Sequence, residues 1–194
     1  MKVLVVFHSI TGHVMELAMA IAEGAKEVGA EVVVKRVEET IPEEVLNKNP
    51  KYVEVKEELK SFPIAGVDEL VEYDAIIFGS PTRFGTMSEQ MKKFIDQTGR
   101  LWMNKALAGK VAAVFQSNEM PHGGKESTLL SMMLPLYAHG MIVVGLPPEK
   151  ELFKAGSYYG VTSTGKPNED DLKVAKMLGR RVALIAERIK GFKG

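Results

Sequence analysis

The stretch HSITGHV, residues 8–14, decides the fold because an apolar run, residues 3–7, precedes it and a helical pattern follows it. From Val14 to Val28 the apolar residues recur at helical spacing, whereas the charged residues lie away from that face. A strand that delivers a hydroxyl- and glycine-rich loop to a helix N-terminus is how α/β proteins hold phosphate groups. HSITGHV therefore predicts an anion-binding loop between a first strand and a first helix.

The composition of this loop restricts which class of anion it could bind. Ser9 and Thr11 supply hydroxyl groups, and Gly12 has no Cβ to keep the backbone away from a ligand. The loop lacks the lysine that a Walker loop places on the outer phosphates, and it lacks the GxGxxG spacing of a dinucleotide site. A single terminal phosphate, as on a mononucleotide, fits better. An ordinary strand-to-helix turn with Thr11 as N-cap is the alternative interpretation.

Composition excludes several classes of function. Lysine plus arginine equal aspartate plus glutamate at 25 each, with no basic block, so we expect no nucleic-acid partner. The absence of cysteine excludes disulfides, thiolate catalysis and cysteine-ligated metal centres, so any redox chemistry would come from a bound cofactor. Two histidines, His8 and His13, make a poor metal-ligand set by themselves, and we expect no metal site.

The apolar runs are all short. None approaches the roughly 18 residues of a membrane span, and the first run is too short for the core of a signal peptide. We therefore expect a cytoplasmic protein with no membrane insertion.

Four further apolar runs, residues 32–34, 75–78, 111–115 and 141–144, are typical of buried strands. Helical segments separate them, and Ser88, Gly140 and the pair Asn168 and Asp171 mark helix ends. This alternation predicts an α/β fold, a doubly wound parallel sheet of five strands with about five helices on both faces. We expect one domain, residues 1–194, with excursions at about 38–66 and 97–109.

Three loops carry most of the chemistry. They are HSITGHV, SPTRFGTMS at residues 80–88 and QSNEMPHGGKE at residues 116–126, each following a predicted strand. In a sheet of order 2-1-3-4-5 these loops meet beyond the carboxyl ends of the strands. Arg83, Phe84 and Gly85 offer a charge, a flat apolar face and close backbone approach, which would suit a planar heteroaromatic cofactor.

The segment YDAIIFGSPTRFGTMSEQMKKFIDQTGRLW, residues 73–102, resembles the WrbA-type NAD(P)H:quinone oxidoreductases, flavodoxin-like proteins that bind FMN. PTRFG followed by DQTG and LW at matching spacing is a specific signal. The resemblance covers nearly the whole chain, including EVVVKRV at 31–37, HGM at 139–141 and ELF at 151–153. It implies a flavodoxin-like fold and a homotetramer.

The resemblance also implies the cofactors and the site. FMN would be bound, NADH or NADPH would supply electrons, and a quinone would be reduced by two electrons in a two-step exchange. Trp102 and His139 would border the place where nicotinamide and quinone alternate, with His139 hydrogen-bonded to the quinone oxygen, and Arg83 would stabilise negative charge on reduced flavin. The cofactor-binding residues would be Ser9, Ile10, Thr11, Gly12, His13, Val14, Pro81, Thr82, Arg83, Phe84, Gly85, Ser117, Asn118, Gly123 and His139.

The chain departs from the family pattern in places. The loop after the fourth strand reads SNEMPHGG, residues 117–124, where the family has an STGT-like run, so Ser117, Asn118 and Gly123 are its better candidates for contact. Thr11 stands where the family commonly has an aromatic residue that contacts the nicotinamide.

Two other functions fit an FMN site. A flavodoxin would pass single electrons to protein partners, but its usual acidic surface is at odds with the balanced charge of this chain. A non-catalytic FMN-binding regulatory protein is the third interpretation.

Overall fold

The computed structural model describes residues 1–192 of the chain. Its strands are β1 (Lys2–Phe7), β2 (Glu31–Arg36), β3 (Ala75–Arg83), β4 (Thr86–Met87), β5 (Val111–Asn118), β6 (Ile142–Val143) and β7 (Val161–Thr164). Its α-helices are α1 (His13–Lys26), α2 (Glu43–Leu46), α3 (Pro50–Ser61), α4 (Glu89–Asp96), α5 (Gly99–Met103), α6 (Lys125–Ala138) and α7 (Glu169–Arg188). Two 3-10 helices span Asp68–Glu72 and Lys150–Phe153.

The main sheet is parallel and has the predicted order of strand positions. β1 lies between β2 and β3, and β5 pairs with the other edge of β3. The outer edge of β5 is shared by β6, opposite Val111 and Ala112, and by β7, opposite residues 115–118. The flavodoxin-like order 2-1-3-4-5 is thus confirmed.

The predicted count of five strands was wrong, because the sheet holds seven within the described residues. The fifth position is divided between β6 and β7 by the 3-10 helix Lys150–Phe153 and its flanking turns. β7 reads VTST, with one apolar residue, so hydrophobic periodicity gave no signal for it. β4 is a two-residue antiparallel partner of β3, and the helices also exceed the predicted five.

Helices cover both faces of the sheet, as predicted. Alternate β1 residues point to opposite sides, so Val3, Val5 and Phe7 pack in one core with α1 and α7. Leu4 and Val6 pack in the other core with α4 and α6. Each face therefore has its own hydrophobic layer.

The predicted helix ends are also present. The Ser88 hydroxyl accepts a hydrogen bond from the N–H of Met91, which caps α4. Asn168 and Asp171 form a reciprocal capping box at the start of α7, with both bonds 3.0 Å long. Gly140 takes a φ of 72° just after α6, a left-handed conformation that glycine adopts without strain. No described helix combines the length and apolarity needed to cross a membrane.

Candidate cofactor-binding cleft

A cleft of about 780 Å³ opens at the carboxyl ends of β1, β3 and β5, between the loops that follow them. This volume is in the range of sites for drug-sized ligands. The predicted site residues that line it are Ser9, Ile10, Thr11, His13, Val14, Pro81, Thr82, Arg83, Phe84, Ser117, Asn118 and Gly123. Asn49, Lys51, Glu119 and Met120 also line it and were not predicted.

The loop after β1 leaves hydrogen-bond donors free at one end of the cleft. Gly12, with φ 84°, is the N-cap of α1, and no side chain caps this helix, so the alternative of Thr11 as N-cap was wrong. Among the described residues, the backbone N–H groups of residues 9–14 donate to no backbone carbonyl. The Ser9 hydroxyl is buried and also has no partner. These donors converge as an anion site requires.

The loop after β3 presents an aromatic ring to solvent. Phe84 has a φ of 51° and a side chain that is fully exposed. A bulky residue in the left-handed region is strained, and such strain tends to persist at functional positions. Arg83 is exposed, and its Nη1 donates to the carbonyl of Thr82 at 2.9 Å.

Gly85 does not line the cleft. It instead packs against Gly124, whose missing Cβ would lie 2.7 Å from the Gly85 Cα. This close approach joins the loop after β3 to the loop after β5. Thr82 and Thr128 reinforce the junction through a hydrogen bond between their hydroxyl groups.

Within the described chain, the carboxyl end of β5 leaves buried side-chain atoms of Gln116 and Asn118 unpaired. The Ser117 hydroxyl donates to the carbonyl of Gly165 at 3.1 Å, and the Asn118 amide N–H donates to the carbonyl of Met120. The Asn118 side-chain oxygen is buried with no partner in the described residues. Leaving such a group unpaired is costly, so Asn118 is suited to receive an N–H from a ligand.

A hydrogen bond between His8 and Glu39 lies behind the loop after β1. His8 Nε2 is 2.9 Å from a Glu39 oxygen, and the other Glu39 oxygen accepts the N–H groups of Thr40 and Ile41 and the Gln90 amide. Burial alone would raise the pKa of Glu39, but the bonds from His8 and the backbone outweigh it, so that pKa lies below its ordinary value. Glu39 therefore ties the loop after β2 to the loop after β1.

Trp102 and His139 are not brought to the cleft of the same chain. α4 runs back from the cleft, and α5 leads into the amino end of β5, where Gly109 N–H donates to the carbonyl of Gly140 at 2.9 Å. Trp102 Nε1 donates to the carbonyl of Ala138 at 2.9 Å, beside His139. Both residues thus lie at the opposite end of the sheet, and neither lines the cleft.

The hydrogen bond between His139 and Thr98 shows which ring nitrogen of His139 carries a proton. Thr98 Oγ1 donates its only proton to the carbonyl of Ile95 at 2.6 Å, so it accepts from His139 Nε2–H at 2.7 Å. Burial lowers the pKa of His139 below its ordinary value of 6.5. The buried Nδ1 of His139 has no partner in the described chain.

Comparison with known proteins places the chain in a family. Residues 1–147 match the family model described as NADPH-dependent FMN reductase. The chain belongs to this family. A protein of Archaeoglobus fulgidus named NAD(P)H dehydrogenase (quinone) is 71% identical over 188 residues, which cover 97% of this chain and 98% of the relative. A protein of the same name from Geotalea daltonii is 47% identical over 202 residues, again covering 97% and 98%.

Solved structures agree with the fold. The flavodoxin, WrbA-like protein from Agrobacterium tumefaciens has a TM-score of 0.70 at 28% identity, covering 97% of this chain and 99% of that one. A flavodoxin from the domain Archaea has a TM-score of 0.67 at 24% identity, which supports the fold alone. The WrbA-type resemblance of this family member is thus confirmed.

Residues from the excursion at 38–66 were the main omission from the predicted site. α3 lies over the loop after β1, since a Cβ on Gly12 would meet Val55 at 3.2 Å. This brings Asn49 and Lys51 to the cleft. Asn49 before Pro50 is a helix-start signal that could have placed the beginning of α3, but nothing in the sequence indicates where that helix docks.

Proposed function

We propose that this chain is an FMN-dependent oxidoreductase that uses NADH or NADPH to reduce quinones to hydroquinones by two electrons. The observation that carries the proposal is the joining of an anion loop to a cleft large enough for a ring system, on a chain of the FMN reductase family. FMN, when bound, supplies hydride acceptance from the nicotinamide and electron delivery to the quinone. The protein supplies position, electrostatics and exclusion of water.

The residues present fit FMN. The free N–H groups around Gly12 and the unpaired Ser9 hydroxyl would hold the phosphate, with Thr11 beside them. The unpaired Asn118 oxygen would accept an N–H of the ring, because a buried acceptor otherwise lacks a partner. Arg83 would stabilise negative charge that develops on the reduced ring.

Trp102 and His139 reach a cleft only if a neighbouring chain supplies them, and we include a homotetramer in the proposal. The outer face of α6 supports it, because Leu130, Leu134 and Tyr137 recur at helical spacing and are 43%, 69% and 57% exposed. Trp102, on α5, donates its indole N–H to the last residue of α6. One apolar surface, the α5–α6 face, would then both form the interface and complete the site.

A turnover assay tests the proposal. Purified protein with FMN is mixed with a benzoquinone, and the oxidation of NADH and of NADPH is followed separately. We expect quinone-dependent oxidation of at least one nucleotide. Absence of turnover with both would contradict the enzyme and favour an electron carrier or a regulatory protein. The preferred nucleotide, the cytoplasmic location and the lack of a nucleic-acid partner stay predictions.

A further inference from the structure

Two charged side chains and a histidine, from three different elements, meet at the phosphate end of the cleft. Glu119 Oε1 lies 3.7 Å from Nδ1 of His13, at the start of α1, and 3.5 Å from Nζ of Lys51, near the start of α3. All three side chains line the cleft. We call His13, Lys51 and Glu119 the phosphate-end cluster.

The surroundings of the cluster favour an anion. α1 and α3 both begin at the cleft, and the partial positive charge of a helix N-terminus adds to the charge of Lys51. The 12-residue helix α3 is held in place by Asn49, whose side chain accepts the N–H of Lys51, and by Val55 against Gly12. Among the cleft-lining residues of the described chain, Glu119 is the one acidic side chain.

The contacts of Glu119 are loose. Its side chain is 62% exposed, and its distances of 3.5 and 3.7 Å exceed those of a good charge-assisted hydrogen bond. Ion pairs of this kind contribute little free energy, because solvent screens them. A phosphate brings more negative charge and more acceptor oxygens, so it would compete effectively with Glu119 for Lys51 and His13.

A second, independent observation points to a ligand in this cleft. Asn118, next to Glu119 in the chain, is 5% exposed, lines the cleft and has an unpaired side-chain oxygen. Buried polar groups are normally satisfied, so this oxygen points to a molecule that lies against the loop carrying Glu119.

We propose that Lys51 is a ligand of the flavin phosphate, and that Glu119 is a built-in anion which pairs with Lys51 and His13 until the phosphate replaces it. The proposal rests on the proposed FMN site. It gives the cleft a preference for a phosphorylated flavin over riboflavin, because only a phosphate compensates the positive charge of Lys51 that Glu119 releases. Both residues lie where sequence resemblance assigned no contact.

Flavin titrations test the exchange directly. Flavin-free wild type, Lys51→Met and Glu119→Gln are titrated with FMN and with riboflavin, and binding is read from quenching of flavin fluorescence. Lys51→Met should weaken FMN binding about fivefold and Glu119→Gln should strengthen it about threefold, which is the scale of exposed charge pairs. Riboflavin, which lacks the phosphate, should bind all three proteins equally.

Matched variants control for net charge. Lys56→Met removes a positive charge from α3, and Glu126→Gln removes a negative charge from the start of α6; neither residue lines the cleft. Both should leave FMN binding within twofold of wild type.

The possible outcomes are distinct. The proposed replacement of Glu119 by the phosphate is overturned if FMN affinity is unchanged in Lys51→Met or lowered in Glu119→Gln. It is also overturned if the variants shift the affinities for FMN and riboflavin equally. If wild type binds neither flavin, the proposed cofactor falls and the exchange falls with it. If wild type binds FMN with the expected variant shifts but reduces no quinone, the exchange stands and the proposed enzyme activity fails.

Discussion

Gly12 is constrained both by its backbone conformation and by a close neighbour, and two glycine variants would separate these effects. Its φ of 84° is unfavourable for any residue with a Cβ, and the added Cβ would also crowd Val55 at 3.2 Å. Gly29 has the similar φ of 86° but no neighbouring atom within 4 Å of such a Cβ. It therefore isolates the conformational cost alone.

We predict that Gly29→Ala lowers the free energy of unfolding by about 1 kcal/mol, as expected for strain in the left-handed region. Gly12→Ala should lower it further, because Val55 must move, and should also weaken FMN binding. Urea unfolding of the flavin-free proteins and an FMN titration measure both effects. Equal losses for the two variants would show that α3 does not press on the loop.

Ser9 should matter only when the ligand is present. Its hydroxyl is buried without a partner, so Ser9→Ala removes an unsatisfied group and should leave the flavin-free protein as stable as wild type, or more so. FMN affinity should fall at least about tenfold through loss of one hydrogen bond to a charged group. Urea unfolding curves measure the stability of the flavin-free variant, and FMN titrations measure its affinity. A stability loss with unchanged FMN affinity would contradict a phosphate role.

His139 should make stability depend on pH in a defined direction. Its pKa in the folded chain lies below 6.5, so between the two pKa values the unfolded chain binds more protons than the folded chain. Stability is then fully present above 6.5 and falls as the pH drops through the lower, folded pKa. We predict that His139→Gln flattens this part of the profile of unfolding free energy against pH.

The exposed loop residue His122 supplies the control for His139. His122→Gln should leave the wild-type slope in place, measured by urea unfolding at a series of pH values. Burial also lowers the pKa of His13, so a residual slope of the same sign should survive in His139→Gln. A profile that His139→Gln does not change would mean that His139 has the same pKa in the folded and the unfolded chain.

Residue types identified the first loop well but not the charges around it. Hydroxyl and glycine residues have few roles at a strand-to-helix junction, so HSITGHV indicated its chemistry directly. Lys51 and Glu119 look like ordinary solvated charges in the sequence. Their meeting depends on the docking of α3 and the course of the loop after β5, which are tertiary features that local patterns do not encode.

Elements were predictable where burial imposes a period. β1, β3 and β5 are apolar because helices cover both of their faces, and the caps at Ser88 and Asn168 have local causes. β6 falls within the predicted apolar run at 141–144, whereas β7 shares the same edge, pairs with four residues of β5 and reads VTST, so it gave no apolar signal. Their division became visible only in the structure.

The close contact between α1 and α7 lets us predict how a substitution between the two helices changes stability. A Cβ on Gly179 would overlap the carbonyl oxygen of Ile21, and one on Gly24 would overlap that of Lys176. Glycine to alanine in a helix usually stabilises by up to about 1 kcal/mol, but here the helices must separate, and we predict a loss of about 2–4 kcal/mol for Gly179→Ala.

Gly99, at the start of α5, tests the same substitution in open space. A Cβ there meets no atom within 4 Å, so Gly99→Ala should be neutral or slightly stabilising. Urea unfolding of the two variants measures the contrast. A Gly179→Ala protein as stable as Gly99→Ala would mean that the two helices are not in close contact.

At the scale of the whole molecule, one chain does not bring Trp102 and His139 to its own cleft. The apolar α5–α6 face beside them is the surface through which a neighbouring chain would be reached. Sequence resemblance indicated both residues and the homotetramer together. Within one chain these residues and the cleft lie at opposite ends of the sheet, so a role for them at the flavin requires the neighbouring chain that we propose.

Substitutions on the α5–α6 face should therefore disrupt the proposed homotetramer without preventing FMN binding. Leu134→Glu combined with Tyr137→Glu places charges on the α5–α6 face, so the oligomer should dissociate to smaller species in sedimentation velocity, while each chain keeps its FMN loop. Quinone reduction should fall at least tenfold, with FMN affinity changed much less. Met19→Glu, an equally polar change at an exposed α1 residue that is 45% accessible, should affect neither. A dissociated variant with wild-type turnover would mean that Trp102 and His139 act nowhere near the flavin, because no neighbouring chain would remain to supply them.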